Sequence, residues 1–259
     1  MQWTAWEGRP TFSSGVAMLK RLLSQVLALV IGLAVFDKAQ AQEQSNWAES
    51  VKLPADEKPI KLFNGKDLSG WEGQIEKYWS VDGDSIKATN KDNVAASTYL
   101  FTKKNYRDFR LLLEIKQTRG KGLSTMHSAV ACLGEKFTDK GDPFSFKGPL
   151  ILLCDDWGYY EVNGRKRVAP AGQKGNFRFP GEKVGDWNRI EILVKGDRVR
   201  YAANGQMVTD VTEKAGILKA SPIGLQLHAN KDRQEWHFRG LILAENPQDR
   251  LLTVNDAKK

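Results

Sequence analysis

From residue 78 to residue 244 the chain is cut into short runs rich in β-branched and aromatic residues, each bounded by Gly, Asn or Asp. None shows the sustained 3.6-residue period of a long amphipathic helix. Such punctuation leaves no room for the crossover helices of βαβ units, so it predicts an all-β sandwich or barrel. Strands are predicted at 78–81, 85–88, 99–101, 109–117, 124–133, 150–154, 159–162, 188–195, 198–203, 206–209, 223–228 and 235–244. Asp82-Gly83-Asp84, Gly196-Asp197 and Asn204-Gly205 separate neighbouring runs. They supply the positive φ angles of tight turns, which gives three antiparallel hairpins. Ile190, Ile192 and Val194 alternate with Glu191, Leu193 and Lys195, and Val199 and Tyr201 alternate with Arg198 and Arg200, the pattern of a half-buried meander. The stretches 134–148 and 164–185 read as long loops forming a rim or lid.

The ends read differently. Lys20 and Arg21 precede an apolar run at 22–36 and then Ala39-Gln40-Ala41, the pattern of a secretory signal peptide at 18–41 cut after Ala41. The run is too short to span a bilayer comfortably, so no integral membrane span is expected after cleavage. Met18 is the more natural start, with 1–17 an extension ahead of it. Residues 42–59 are polar and aperiodic, with Pro54 and Pro59, and read as a linker or arm before a domain at 60–245 and a tail at 246–259. A periplasmic or secreted protein is expected. The net charge of +8 comes from 39 basic against 31 acidic residues, but the cations are dispersed among the acids. The short run Arg165-Lys166-Arg167 reads as a solvated loop, so nucleic acid is not an expected partner. Two cysteines exclude a disulfide-built scaffold and a Cys-rich zinc site. Cys132 and Cys154 both fall in predicted strands, which leaves open a bridge or two buried thiols.

All three histidines, His127, His228 and His237, fall in predicted strands. Alternation in 223–228 puts Ile223, Leu225 and Leu227 on one face and Gly224, Gln226 and His228 on the other. In the next strand Trp236 and Phe238 alternate with Glu235, His237 and Arg239. Pairing of these strands would make Gln226, His228, Glu235, His237 and Arg239 neighbours on one polar face, for substrate or for solvent. The segment from Asp155 to Glu161 collects Asp155, Asp156 and Glu161 with Trp157, Tyr159 and Tyr160. Aromatic faces and carboxylates are what a sugar site uses, so Trp157, Tyr159 and Glu161 are candidate carbohydrate contacts, and Asp155 and Asp156 candidate acid and base. The alternative places Trp157 and one tyrosine in the core. No cofactor is required by the sequence; a divalent metal would draw on His127, Asp155 and His228. A phosphate-binding glycine loop, a Gly-x-Ser-x-Gly elbow and a His-Glu-x-x-His motif are all missing, against nucleotide enzymes, serine hydrolases and zincins.

A series of short motifs runs through the domain. It begins with Leu62-Phe63-Asn64-Gly65-Lys66-Asp67-Leu68-Ser69-Gly70-Trp71, Trp79-Ser80-Val81-Asp82-Gly83-Asp84 and Tyr106-Arg107-Asp108-Phe109. It continues with Asp186-Trp187-Asn188-Arg189, Asn204-Gly205, Ile223-Gly224-Leu225-Gln226-Leu227-His228 and His237-Phe238-Arg239-Gly240. In order and spacing it resembles the 3-keto-disaccharide hydrolase domain family, also called DUF1080, over about residues 60–245. The resemblance implies a concanavalin A-like lectin/glucanase jelly roll, a β-sandwich of two antiparallel sheets with a concave sugar groove. It implies functional positions at Gln226, His228 and Arg239. One departure stands out: where family members carry Asn-Ser-Gly and then Gly-Tyr-Glu, this chain has His127-Ser128-Ala129 and Gly148-Pro149-Leu150. Either Asp155, Asp156 or Glu161 substitutes for the missing glutamate, or this is a branch with altered chemistry or binding only. The family name implies a base, His228 or His127, that removes the C2 proton of a 3-keto-glycoside. Arg239, Gln226 or a metal would stabilise the enolate. The rivals are a carbohydrate-binding module without turnover and a structural cell-surface domain.

Overall fold

A computed structural model of the chain describes residues 47–161 and 167–254. The expected extension, the expected export segment and its cut after Ala41, residues 42–46, Val162, Arg165, Lys166 and the tail beyond residue 254 lie outside the described residues. In chain order the elements are α1 (Trp47–Ser50), β1 (Ile60–Lys61), β2 (Trp71–Glu72), α2 (Ile75–Tyr78), β3 (Trp79–Asp82), β4 (Ser85–Thr89), β5 (Thr98–Thr102), β6 (Phe109–Gln117), β7 (Ser128–Ala131), β8 (Glu135–Asp139), β9 (Asp142–Lys147), β10 (Leu150–Leu153), β11 (Gly158–Tyr160), β12 (Arg167–Val168), β13 (Asn188–Lys195), β14 (Arg198–Ala203), β15 (Gln206–Thr212), β16 (Gly224–Leu227) and β17 (Glu235–Glu245).

Two antiparallel sheets form a concanavalin A-like jelly-roll sandwich. Sheet A has the order β15-β14-β13-β6-β17-β4-β3, with β1 also paired to β17. Sheet B has the order β12-β11-β10-β7-β16-β5-β2. Alternation along each strand sends one set of side chains into the space between the sheets. Leu111, Leu113, Ile190 and Ile192 from sheet A meet Val130, Ile151, Leu153 and Leu225 from sheet B, all fully buried in one cluster. Each such aliphatic side chain contributes about 1.5–3 kcal/mol by leaving water. The three expected hairpins are β3–β4, β13–β14 and β14–β15; at the last, Asn204 (φ 49°) and Gly205 (φ 82°) both take the left-handed angles that a two-residue turn requires.

Three expectations are corrected. Residues 134–148 are not a loop but the hairpin β8–β9, which turns at Lys140 (φ 49°) and Gly141 (φ 83°). Residues 124–127 precede β7 rather than belonging to it. The described part of the expected linker belongs to the domain. Ala48 is buried against Leu112 and Ile242, and Glu57 reaches Arg110, so the sandwich extends back to Trp47 and forward through Thr253. Cys132 and Cys154 are two free, buried thiols; burial pushes Cys132 up to about 12 and Cys154 in the same direction, which leaves both unreactive.

In β17 the register slips between Arg239 and Ile242, where Gly240 (φ 82°) and Leu241 (φ 41°) form a bulge. A Cβ at Gly240 would lie 2.7 Å from the Cβ of Ala48. Gly240→Ala is therefore expected to lower the unfolding free energy by about 1–3 kcal/mol, from left-handed strain and overpacking together, as read by urea titration.

Candidate functional site

The outward face of sheet B is concave and holds a cavity of about 480 Å³. Its floor follows from alternation. With Ile151 and Leu153 of β10 in the core, Leu150 and Leu152 face outward; with Leu225 and Leu227 of β16 in the core, Gln226 faces outward; Tyr99 of β5 and Tyr160 of β11 complete it. The β8–β9 hairpin contributes Phe137, Asp139, Ser145 and Phe146 as one wall. It is pinned there by Ser145 Oγ donating to the Ser97 carbonyl (3.0 Å) and Lys140 Nζ to the Ala95 carbonyl (3.1 Å).

Topology brings the two histidines together. β7 and β16 are antiparallel neighbours, so His127, just before β7, and His228, just after β16, meet at one end of the sheet. Their rings stand edge to face with centroids 4.7 Å apart. β10 flanks β7 on the other side, pairing Leu153 with Ser128, so the turn that follows β10 arrives beside His127. That turn holds Cys154 (φ 62°) and Asp155 (φ 59°) in left-handed geometry, which costs about 1–2 kcal/mol per residue without glycine. It sets Asp156 with a carboxylate oxygen 3.4 Å from His127 Nδ1 and in an ion pair with Arg167. The Arg167 guanidinium lies 4.0 Å from the Phe177 ring centre.

Protonation states follow from the surroundings. His228 Nδ1 lies 2.8 Å from the Ala229 carbonyl oxygen. A carbonyl only accepts, so Nδ1 carries the proton and Nε2 keeps its lone pair. Burial lowers His228 below the usual imidazole value, outweighing that hydrogen bond and Asp156. Burial and the charged form of His228 push His127 down to about 4, against the pull of Asp156. Both rings are neutral at pH 7. Gln226 Nε2 donates to the Tyr99 hydroxyl (2.8 Å), while Gln226 Oε1 is buried with no hydrogen-bond partner among the described residues. Burial raises the Tyr99 phenol far above its ordinary value, so it stays protonated, and having accepted from Gln226 it can donate its proton to a ligand oxygen.

The depressed histidines carry a sign. In the unfolded chain they take up protons near pH 6.5, in the folded chain only at lower pH, so between those limits the unfolded state binds more protons. Their stabilisation is complete above pH 6.5 and is lost as pH falls toward 4. Urea titrations across this range are expected to show stability rising with pH, and His127→Gln to flatten the slope.

The other sequence candidates lie elsewhere. β16 and β17 are in different sheets, so Glu235, His237 and Arg239 are not neighbours of Gln226 and His228 but sit on the outward face of sheet A. There Arg239 Nε donates to Glu114 (3.1 Å), its guanidinium lies 3.9 Å from the Trp187 ring centre, and His237 is 3.5 Å from Glu235 and 3.3 Å from Ser85 Oγ. Arg239 cannot stabilise charge in the sheet B cavity. Trp157 and Tyr159 are fully buried and offer no face to a sugar: Trp157 Nε1 donates to Glu182 (2.8 Å) and Tyr159 to Glu213 (2.8 Å). Glu161 follows β11 outside the cavity lining. Asp155 is tied to Arg178, and among the described residues no group of three or more His, Cys, Asp or Glu is placed to hold a metal ion; the expected triad of His127, Asp155 and His228 is not assembled. Tyr99, Tyr160 and Arg167 were missed. Tyr99 and Phe101 share a face by alternation, which is a legible signal; Arg167 was hidden in a run that reads as solvated loop.

A cavity walled by aromatic rings on the outward face of one sheet of a jelly-roll sandwich defines the class, a concanavalin A-like β-sandwich domain. The sequence profile of the 3-keto-alpha-glucoside-1,2-lyase-like domain matches residues 58–242, and the chain belongs to that family. Among solved structures it is similar to a provisionally assigned glycosyl hydrolase from Parabacteroides distasonis (20% identity over 72% of this chain and 93% of that one, TM-score 0.52). It is also similar to the Emp47p carbohydrate recognition domain (11%, 76% and 98%, TM-score 0.51). The Ca2+- and mannose-bound exoplasmic/lumenal domain of VIP36 matches comparably (12%, 78% and 98%, TM-score 0.51). At these identities the likeness concerns the fold. No protein of curated function matches the chain. Among the described residues no helix is long and apolar enough to cross a membrane.

Proposed function

We propose that the sheet B cavity takes a 3-keto-glycoside and that His228 removes its C2 proton. The carrying observation is the neutral imidazole whose tautomer is fixed by Ala229, in a cavity that also offers the Tyr99 hydroxyl. The C3 ketone acidifies the C2 proton. His228 Nε2 takes that proton, and the C–H electron pair enters the enolate, whose oxygen is stabilised by donation from Tyr99 and by the charge of Arg167. The enolate then re-forms the ketone as C1=C2 forms and the C1–O bond breaks, and the departing oxygen takes a proton from the imidazolium or from water. Addition of water across the resulting double bond gives net hydrolysis. Leaving-group release from a panel of 3-keto-glycosides and their unoxidised counterparts tests this: release is expected from the keto series alone. Equal release from both series would contradict it.

A second reading, sugar binding without turnover, is favoured by one feature: Leu150 lines the cavity at the position where the family pattern supplies a glutamate. It predicts glycan affinity that survives His228→Ala, with no release from any keto-glycoside. Export to the periplasm or beyond belongs to the same proposal. N-terminal sequencing of the exported protein is expected to begin at Gln42; retention of residues 18–41 would contradict it.

A further inference from the structure

On the opposite side of the molecule the segments at the two ends of the described domain, 47–52 and 249–254, border a cavity of about 980 Å³ against sheet A. It is wider than the sheet B cavity and differently charged. Lys52, Lys183, Arg189, Arg200 and Arg250 line it, against one carboxylate, Asp249. Arg200 is only 6% exposed; it pairs with Asp249, yet its Nε is buried with no hydrogen-bond partner among the described residues. Arg189 lies 5.6 Å from the centre of the half-exposed Trp47 ring and 3.8 Å from Glu114. Lys52, Lys183 and Arg250 are exposed, and no acidic partner is seen for their side chains among the described residues. The neutral polar groups nearby are already used: the Asn204 amide donates to the Gly181 carbonyl and to Asn188, and Thr253 Oγ1 donates to Glu191. Unsatisfied recognition capacity in this cavity is therefore cationic.

We propose that this cavity binds an acidic oligosaccharide, a sugar chain carrying carboxylate or sulfate groups. Five cations around a concavity, with an aromatic ring at its edge, match a flexible ligand that alternates anionic groups with apolar ring faces. A nucleic-acid duplex, a convex rod, needs an extended basic stripe rather than a hollow. The choice of a sugar rests on the carbohydrate reading of the domain, but the site itself is independent of turnover in sheet B.

The test is binding of a galacturonic acid hexasaccharide, a neutral hexasaccharide of similar length and a single-stranded hexanucleotide to the full protein at low and high salt, by calorimetry. The acidic saccharide is expected to bind, the neutral one not, and added salt to weaken the complex. A combined Lys52→Ala, Lys183→Ala and Arg250→Ala variant, altered only at exposed positions, is expected to lose about tenfold or more in affinity with an unchanged circular dichroism spectrum. The same variant is expected to keep its keto-glycoside turnover, and His228→Ala to keep its binding of the acidic saccharide. No binding of the acidic saccharide, equal binding of the neutral one, tighter binding of the oligonucleotide, or unchanged affinity in the triple variant would each overturn the proposal. Failure of keto-glycoside turnover alone would overturn only the sheet B reading.

Discussion

Replacing His228 by alanine is expected to lower leaving-group release from a 3-keto-glycoside by about 10²–10⁴-fold, the usual contribution of a positioned general base. The loss should fall on kcat, because the proton transfer is made only in the transition state. Wild-type release is expected to fall off, as pH drops, at a lower pH than an ordinary imidazole base would give, since burial holds His228 below the usual imidazole value. His127→Ala serves as the companion variant: its ring packs edge to face on His228 at 4.7 Å, so its removal is expected to cost less than removal of the base itself. Full activity in both variants would show that neither imidazole takes the proton.

Arg110→Met is expected to destabilise the domain by about 3–5 kcal/mol, because it removes one partner from a buried ionic cluster and leaves carboxylates without a counter-charge. The Arg110 side chain is fully buried between two carboxylates that are buried as well. It donates through Nε and Nη2 to Glu57 (2.8 and 3.0 Å), through Nη1 to Glu191, and to the carbonyls of Arg250 (2.9 Å) and Gln248 (3.2 Å). Glu191 also accepts from the backbone of Leu252 and Thr253. One guanidinium thus fastens the segment before β1 and the segment after β17 to the outward face of sheet A. Urea titration at pH 7 measures the loss. Limited proteolysis is expected to cut first at 47–59 and 246–254, as these segments lose their common anchor. Unchanged stability would mean that the apolar contacts of Ala48, Leu112 and Ile242 suffice to hold them.

The same cluster shows where the sequence ceased to be readable. Strand periodicity and turn chemistry are local, so the alternation of 188–203 and the turns at Asp82-Gly83-Asp84, Gly196-Asp197 and Asn204-Gly205 could be read directly. Glu57, Arg110 and Glu191 are far apart in the chain and look like solvated charges; only tertiary packing makes them core. The β8–β9 hairpin was missed for the opposite reason. Its strand β8 is largely exposed, with no apolar face for alternation to reveal. In the candidate site, local alternation sorts Gln226 and His228 to one face of the segment 223–228 that holds β16, and Glu235, His237 and Arg239 to one face of β17. Both sortings describe each strand correctly, but alternation carries no information about which sheet a strand joins. Consecutive strands here cross between sheets, so the two polar faces lie on opposite sides of the sandwich. The burial of Trp157 and Tyr159 followed the same logic: within Gly158–Tyr160 the face reaching the cavity is that of Tyr160.

The central claim is that the sheet B cavity breaks the C2–H bond of a keto-sugar, and solvent exchange at that carbon tests it most directly. The protein would be incubated in deuterium oxide with a 3-keto-glycoside whose leaving group departs slowly, and deuterium at C2 followed by proton NMR. C2 exchange is expected with the wild type, and to be reduced by about 10² or more in His228→Ala. Leaving-group release from this substrate with C2 fully protonated throughout, or exchange that His228→Ala leaves untouched, would contradict it.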